Sequence, residues 1–147
     1  MDKKEISPAD ARLLELAMGD KKAQEPMAVL RRVPEATKAV LGVIGAANAE
    51  VWSGPHLSSR THCLVNLATL ASVNRPVELR IRVRGLLVGG IEVGEIADVF
   101  MHTAAYCGFP AGVEAIRTLA EVVEELQAEG LLPVADGKAV PSTSDSR

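Results

Sequence analysis

Three groups of side chains in this sequence have types and spacings that chemistry could use. In Val77-Glu78-Leu79-Arg80-Ile81-Arg82-Val83-Arg84, a carboxyl and a guanidinium stand four residues apart, at Glu78 and Arg82. If the stretch is helical they share one face, with Arg80 and Arg84 on a neighbouring face. Either they form a solvated ion pair contributing about 0.3–0.5 kcal/mol, or Glu78 carries a proton while Arg82 anchors a carboxylate or a developing oxyanion. Asp98, His102 and Tyr106 also fall on one helical face. There His102 is either a structural histidine or a general acid or base with a pKa near working pH. The third group is weaker. His56 and His62 have no recognised metal-ligand spacing and no acidic cluster beside them, so no metal site is expected. Cys63 and Cys107 form no Cys-x-x-Cys pair, and both are read as small buried hydrophobes.

The elements that must position these groups are marked out by proline, glycine and capping residues. Ser7-Pro8 is an N-cap followed by proline at the first helical position, opening a segment through Leu13, Leu14 and Ala17 to Gly19. Pro34 opens a second, with Val40, Ile44, Ala47 and Val51 at helical spacing. Ser58-Ser59 caps a third, apolar nearly all round from Cys63 to Val73 and interrupted only by Asn66, Thr69 and Ser72. That pattern predicts a central buried helix. A fifth runs from about Val93 to Cys107, with Ile96, Val99, Phe100, Thr103 and Cys107 on one stripe, and ends at Gly108. A sixth opens at Pro110 and is stopped by Gly130.

The fourth segment, Val77 to Arg84, alternates apolar and charged residues, which by period alone is a strand. It has no second alternating run to pair with, and an isolated strand cannot satisfy its backbone. Pro76 suits a first helical position and Gly89-Gly90 a stop, so the reading leans to helix. The expected fold is therefore all-α, a compact bundle of about six helices.

With 147 residues the chain is long enough for one core but not two. Residues 1–132 are read as one helical domain and 133–147, rich in Pro, Gly, Ser and Thr, as a flexible tail. A net charge of −3 asks for neither nucleic acid nor an anionic membrane as partner. Aromatic residues make up only 3%, so a core of small aliphatic side chains, hence closely packed helices, is expected. No apolar run near the start resembles a secretory signal and none could span a bilayer, which makes the cytoplasm the expected location. There is no Gly-x-Gly-x-x-Gly, no Gly-Lys-Ser/Thr loop and no Gly-x-Ser-x-Gly elbow, leaving nucleotide binding and acyl-serine chemistry without support.

The stretch Ser58 to Arg117 resembles the carboxymuconolactone decarboxylase family, which includes the alkylhydroperoxidase D-like proteins. The resemblance is carried by Arg60-Thr61 leading into Leu64-Val65-Asn66-Leu67-Ala68, by Glu78-Leu79-Arg80 with Arg84-Gly85, and by Gly90 followed by Glu95-Ile96. Most specific is His102-Thr103-Ala104-Ala105-Tyr106-Cys107-Gly108-Phe109-Pro110-Ala111, close to a His-x-Ala-x-Tyr-x-Gly-x-Pro-Ala signature. Glu50-Val51-Trp52-Ser53 with Pro55 is similar to the segment before it.

The resemblance implies a helical chain that assembles into trimers or hexamers, with the site at chain contacts. It also implies a helix for the fourth segment. In the peroxidase branch a Cys-x-x-Cys pair falls where this chain has Arg75 and Glu78, so peroxidase chemistry is not expected. In the decarboxylase branch the same helix carries Glu-Leu-Arg-x-His. Glu78 is retained, but the histidine is Arg82, which cannot be deprotonated in a protein. Proton delivery must then fall to Glu78, His102 or His62.

The expected activity is a cofactor-free lyase decarboxylating a small carboxylated unsaturated lactone or a related enolisable acid. The alternatives are a cofactor-free isomerase or cyclase of a biosynthetic pathway, or a non-catalytic oligomeric binding protein. Glu78, Arg82 and His102 are the expected catalytic residues, and Trp52, His62 and Tyr106 the expected substrate-binding ones. Trp52 either walls the pocket or is a core or interface aromatic.

Overall fold

The computed structural model describes residues 7–19, 21–22 and 24–133. The expectation of a flexible tail lies almost wholly outside the described residues. Six α-helices and one 3₁₀ helix, with no strand among the described residues, make an all-α chain. They are α1 (Pro8–Ala17), α2 (Pro34–Trp52), α3 (Ser59–Ser72), α4 (Pro76–Val88), α5 (Val93–Cys107) and α6 (Phe109–Ala128). The 3₁₀ helix, Glu25–Arg32, precedes α2 and has proline in its first turn.

The starts follow from side-chain chemistry. Ser7 Oγ accepts from the Asp10 amide at 3.1 Å, and Ser58 Oγ from the Thr61 amide at 3.1 Å, each satisfying a donor that the helix itself cannot. Prolines in the first turn of α2, α4 and α6 need no such partner for their missing N–H. Between α5 and α6 the chain reverses at Gly108, whose φ of 107° strains any residue with a Cβ.

The alternating run does form a helix, and its two sets of charges point to two different neighbours. Arg80 pairs with Glu121 (3.1 Å) and Glu125 of α6, and the buried Arg84 with Glu129 (2.6 Å), which also holds Lys22. Glu78 and Arg82 lie on a separate face, and Leu79, Val83 and Leu86 point into the core. A period of two is thus compatible with a helix that has charged partners on two flanks.

α3 does sit centrally, against α1, α4, α5 and α6, but the most buried helix is α4, not α3 as the apolar run from Cys63 suggested. Seven of its residues are buried, against a single stripe of Ser59, Cys63, Leu67 and Ala71 on α3. The α3 run is apolar beyond its buried stripe, and Val65 remains exposed. The close packing expected of small side chains is present. A Cβ at Gly85 of α4 would lie 1.8 Å from the Leu16 carbonyl oxygen of α1, and one at Gly112 of α6 would lie 2.3 Å from Ala104 Cβ of α5. Backbone therefore meets backbone at the α1–α4 crossing.

Cys63 is buried but Cys107 is exposed, correcting the expectation that both are core residues. Cys107 sits in the last turn of α5, where the stripe runs out into the Gly108 reversal. α2 contributes no buried residue and packs chiefly on the 3₁₀ helix, leaving Val40, Leu41, Val43, Ile44 and Val51 exposed.

Candidate functional site

Glu78 occupies the first turn of α4, where a carboxylate complements the positive end of the helix dipole, and it is exposed. Arg82, one turn further and half-buried, reaches across to the C-terminal end of α1. Its Nη1 donates to the Ala17 carbonyl at 2.6 Å and approaches Met18 Sδ at 3.0 Å. A cation at a helix C-terminus meets carbonyls with no partner in their own helix, so Arg82 caps α1 from outside. Among the described residues its Nε and Nη2 make no hydrogen bond, and those donors remain for a ligand.

Cys63 of α3 lies within the field of this guanidinium. Burial pushes its thiol up to about 11, only partly offset by the charges of Arg82 and Arg60. The thiol is therefore protonated near neutrality and a poor nucleophile. Burial also pushes the Arg82 guanidinium below its ordinary value, while the Cys63 thiolate would raise it. An arginine nevertheless stays charged across the physiological range.

Next to Cys63 on α3, His62 meets Trp52, the last residue of α2, with ring centroids 5.7 Å apart and planes tilted by 42°. His62 Nε2 is buried without a partner, and so is Oδ1 of Asn66, one turn on. The sequence reading passed over Asn66, taking it with Thr69 and Ser72 as a polar interruption. The signal was its spacing: Asn66 falls four residues after His62.

His102 and Tyr106 stack at 5.4 Å with planes 28° apart, both on the exposed face of α5 with Asp98. Of the six residues singled out, the chain thus brings together Trp52 with His62 and His102 with Tyr106, and aligns Glu78 with Arg82 on one helix face. α5 packs mainly on α6 and α3, and Glu95 near its start pairs with Arg60 of α3. Cys63, the α3 residue within the field of Arg82, lies on the stripe buried in the core. Among the described residues no hydrogen bond, ion pair or ring contact joins His102 to the Glu78–Arg82 face.

An open cleft of about 310 Å³ lies elsewhere, lined by Lys22, Glu25, Pro26, Arg80, Arg84 and Glu125. Its cations are engaged by Glu125 and Glu129, which makes it a groove of ion pairs. Among the described residues no three His, Cys, Asp or Glu side chains group as metal ligands.

Helices crossing at glycine contacts, with acid, guanidinium and imidazole groups arrayed on them, define an all-α protein. The chain belongs to the Carboxymuconolactone decarboxylase family, whose model matches residues 34–121, from the start of α2 into α6. It is 35% identical over 77 residues to a 4-carboxymuconolactone decarboxylase of Acinetobacter baylyi, covering 52% of this chain and 58% of that protein. It is 28% identical over 80 residues to the nitrosuccinic acid decarboxylase npaB of Metarhizium robertsii, covering 54% and 56%. The chain thus spans little more than half the length of these relatives. No described helix is long and apolar enough to cross a membrane.

Proposed function

We propose that this protein is a cofactor-free lyase that removes CO2 from a small carboxylic acid whose resulting electron pair can spread onto an electron-withdrawing group. The two relatives are named for acids of that kind, an unsaturated lactone in one and a nitro acid in the other. In the lactone, the pair left by CO2 flows through the double bond to the carbonyl as a dienolate. In the nitro acid, it flows to the nitro oxygens as a nitronate. Both place negative charge on oxygen, and a fixed cation lowers the barrier to forming it, by roughly 3 kcal/mol for a single well-placed donor.

The observation that carries this reading is the state of Arg82. Its side chain is pinned by the Ala17 carbonyl, half-buried, and retains unpaired donors, which is the preorganised cation that such an oxyanion needs. Glu78, one turn away and exposed, is suited to exchange protons with solvent at the rim. A protonated Cys63 beneath the guanidinium supports a lyase over a thiol peroxidase.

His102 and Tyr106 serve this reading from a second copy of the chain. Tyr106, Phe109 and Val113 form an exposed face at the α5–α6 reversal, and the apolar face of α2 is a second. Such surface in a helical protein is suited to burial between copies, so we assign the chain to a homo-oligomer with the site completed at chain contacts. The test is release of CO2 from 4-carboxymuconolactone and from nitrosuccinate by the purified protein, with and without a chelator. Turnover of at least one acid, unchanged by the chelator, is expected. Absence of turnover with both overturns the reading.

A further inference from the structure

Buried polar atoms without a partner are rare, because each forfeits about 1–3 kcal/mol of lost solvation. Two stand one helical turn apart on α3, Nε2 of His62 and Oδ1 of Asn66. The other polar side chains of that stretch are satisfied within the helix: Thr69 donates to the Val65 carbonyl at 2.8 Å, and Ser72 to that of Thr69 at 2.8 Å. The unpaired atoms are thus a local feature, a nitrogen and an oxygen at neighbouring turns. Trp52 covers one side of the imidazole. Near the nitrogen lies Gly54, where a Cβ would stand 3.7 Å from Nε2, in ordinary contact with it. The residue next to His62, Cys63, lies within the field of Arg82 of α4, and α3 packs directly on α4.

We propose that His62 is the proton donor of the decarboxylation, filling the role that an arginine at position 82 cannot. The inference rests on the lyase reading above. In the reaction the bond from carbon to the carboxylate breaks and CO2 departs, its bonding pair moving through the conjugated group onto the oxygen held by Arg82. A carbon of the resulting anion then takes the proton of His62. The Nε2–H bond breaks with its pair left on nitrogen, the new C–H bond forms from the pair of the anion, and solvent reprotonates the imidazole. Asn66 Oδ1, the other unpartnered atom, accepts a hydrogen bond from a hydroxyl or a water beside it. His102, on the outer face of α5, is left with a binding role.

The test uses the full chain in deuterium oxide with 4-carboxymuconolactone and nitrosuccinate as probes, comparing wild type with His62→Gln, His62→Asn and His102→Gln. Wild type is expected to deliver deuterium to one face of the product carbon. Both His62 variants should lower kcat about 10²–10⁴-fold with KM changed little, and should give product deuterated on both faces because solvent supplies the proton. His102→Gln should keep the single-faced product. Wild-type kcat and single-faced product in whichever His62 variant retains its helical circular dichroism overturn the proposal and leave the lyase reading standing. Loss of facial selectivity in His102→Gln alone also overturns it. A wild type that releases CO2 from neither acid removes the lyase reading itself, and the proposal with it.

Discussion

The guanidinium of Arg82 and the carbonyl oxygen of Ala17, 65 positions apart in sequence, meet at 2.6 Å. The bond ties the centre of α4 to the end of α1 and holds the side chain in one direction. Two substitutions separate its structural share from its chemical one. Arg82→Lys keeps a charge that can still reach the Ala17 carbonyl but loses the planar fork. It should therefore lower turnover by about tenfold or more while leaving the melting temperature nearly unchanged. Arg82→Ala should reduce both, losing about 1–3 kcal/mol of stability because the α1 carbonyls are left without their partner. Thermal unfolding and CO2 release, measured side by side, decide it.

Arg82→His restores the Glu-Leu-Arg-x-His string that the decarboxylase branch resembles. With Glu78 unchanged, the histidine can move a proton where Arg82 held charge, so the variant should gain decarboxylation of 4-carboxymuconolactone and lose turnover of whichever acid the wild type handles through the Arg82 cation. An assay of that lactone with both proteins reads the change directly, and loss of activity would show that position 82 binds anions in this chain and nothing else.

Cys63 gives a pH signature. Its thiol is raised from about 9 to about 11, so between those values the unfolded chain gives up a proton that the folded chain keeps. The folded state then binds more protons, and stability falls as pH rises. The contribution is intact below about pH 9 and lost as pH climbs through about 11. Cys63→Ala removes this titration. The stability difference between wild type and variant, followed by urea unfolding from pH 8 to 11, should therefore shrink. Near pH 7 the double variant Cys63→Ala, Cys107→Ala should keep its activity, since neither thiol serves as a nucleophile.

Gly85→Ala tests the α1–α4 crossing. The methyl would stand 1.8 Å from the Leu16 carbonyl oxygen, so the helices must part. Alanine is the better helix former by about 1 kcal/mol, yet the variant should be less stable by about 2 kcal/mol or more. Because the Ala17 carbonyl moves with α1, turnover should fall as well.

Val43→Glu, at the most exposed apolar position of α2, probes assembly. Light scattering should show wild type as a trimer or hexamer and the variant as smaller species. Wild type eluting as a monomer at micromolar concentration would contradict assembly on this face.

Much of this architecture was legible because helix ends are local chemistry. Ser7, Pro34, Ser58, Pro76 and Gly108 act within a few residues of themselves, and each marks a boundary found in the structure. Which helix is most deeply buried was not legible, since it depends on neighbours. α4 looked half-charged, but Arg80 spends its charge on α6 and Arg84 on Glu129 just beyond it, whereas the apolar α3 buries one stripe. The 3₁₀ helix had no capping serine to announce it. Glu78 with Arg82, and His102 with Tyr106, could be grouped because helical spacing fixes their faces. Asn66 shares a helix face with His62 by the same spacing rule, but nothing in the sequence tells a satisfied polar side chain from a stranded one.

Glu129, beyond the end of α6, receives both Arg84 and Lys22, and Lys22 lies 107 positions earlier. Such a knot joins the chain ahead of α2 to the end of α6, closing one corner of the fold with ion pairs. The same two cations hold the Glu129 carboxyl below its ordinary range. Its stabilising effect is complete above the ordinary carboxylate pKa and fades as pH drops through the lowered one. Acid below the ordinary carboxylate range should consequently release the chain around Lys22 before it disturbs Phe100 or Leu126, making this corner the first to exchange its amide protons while the core is still closed.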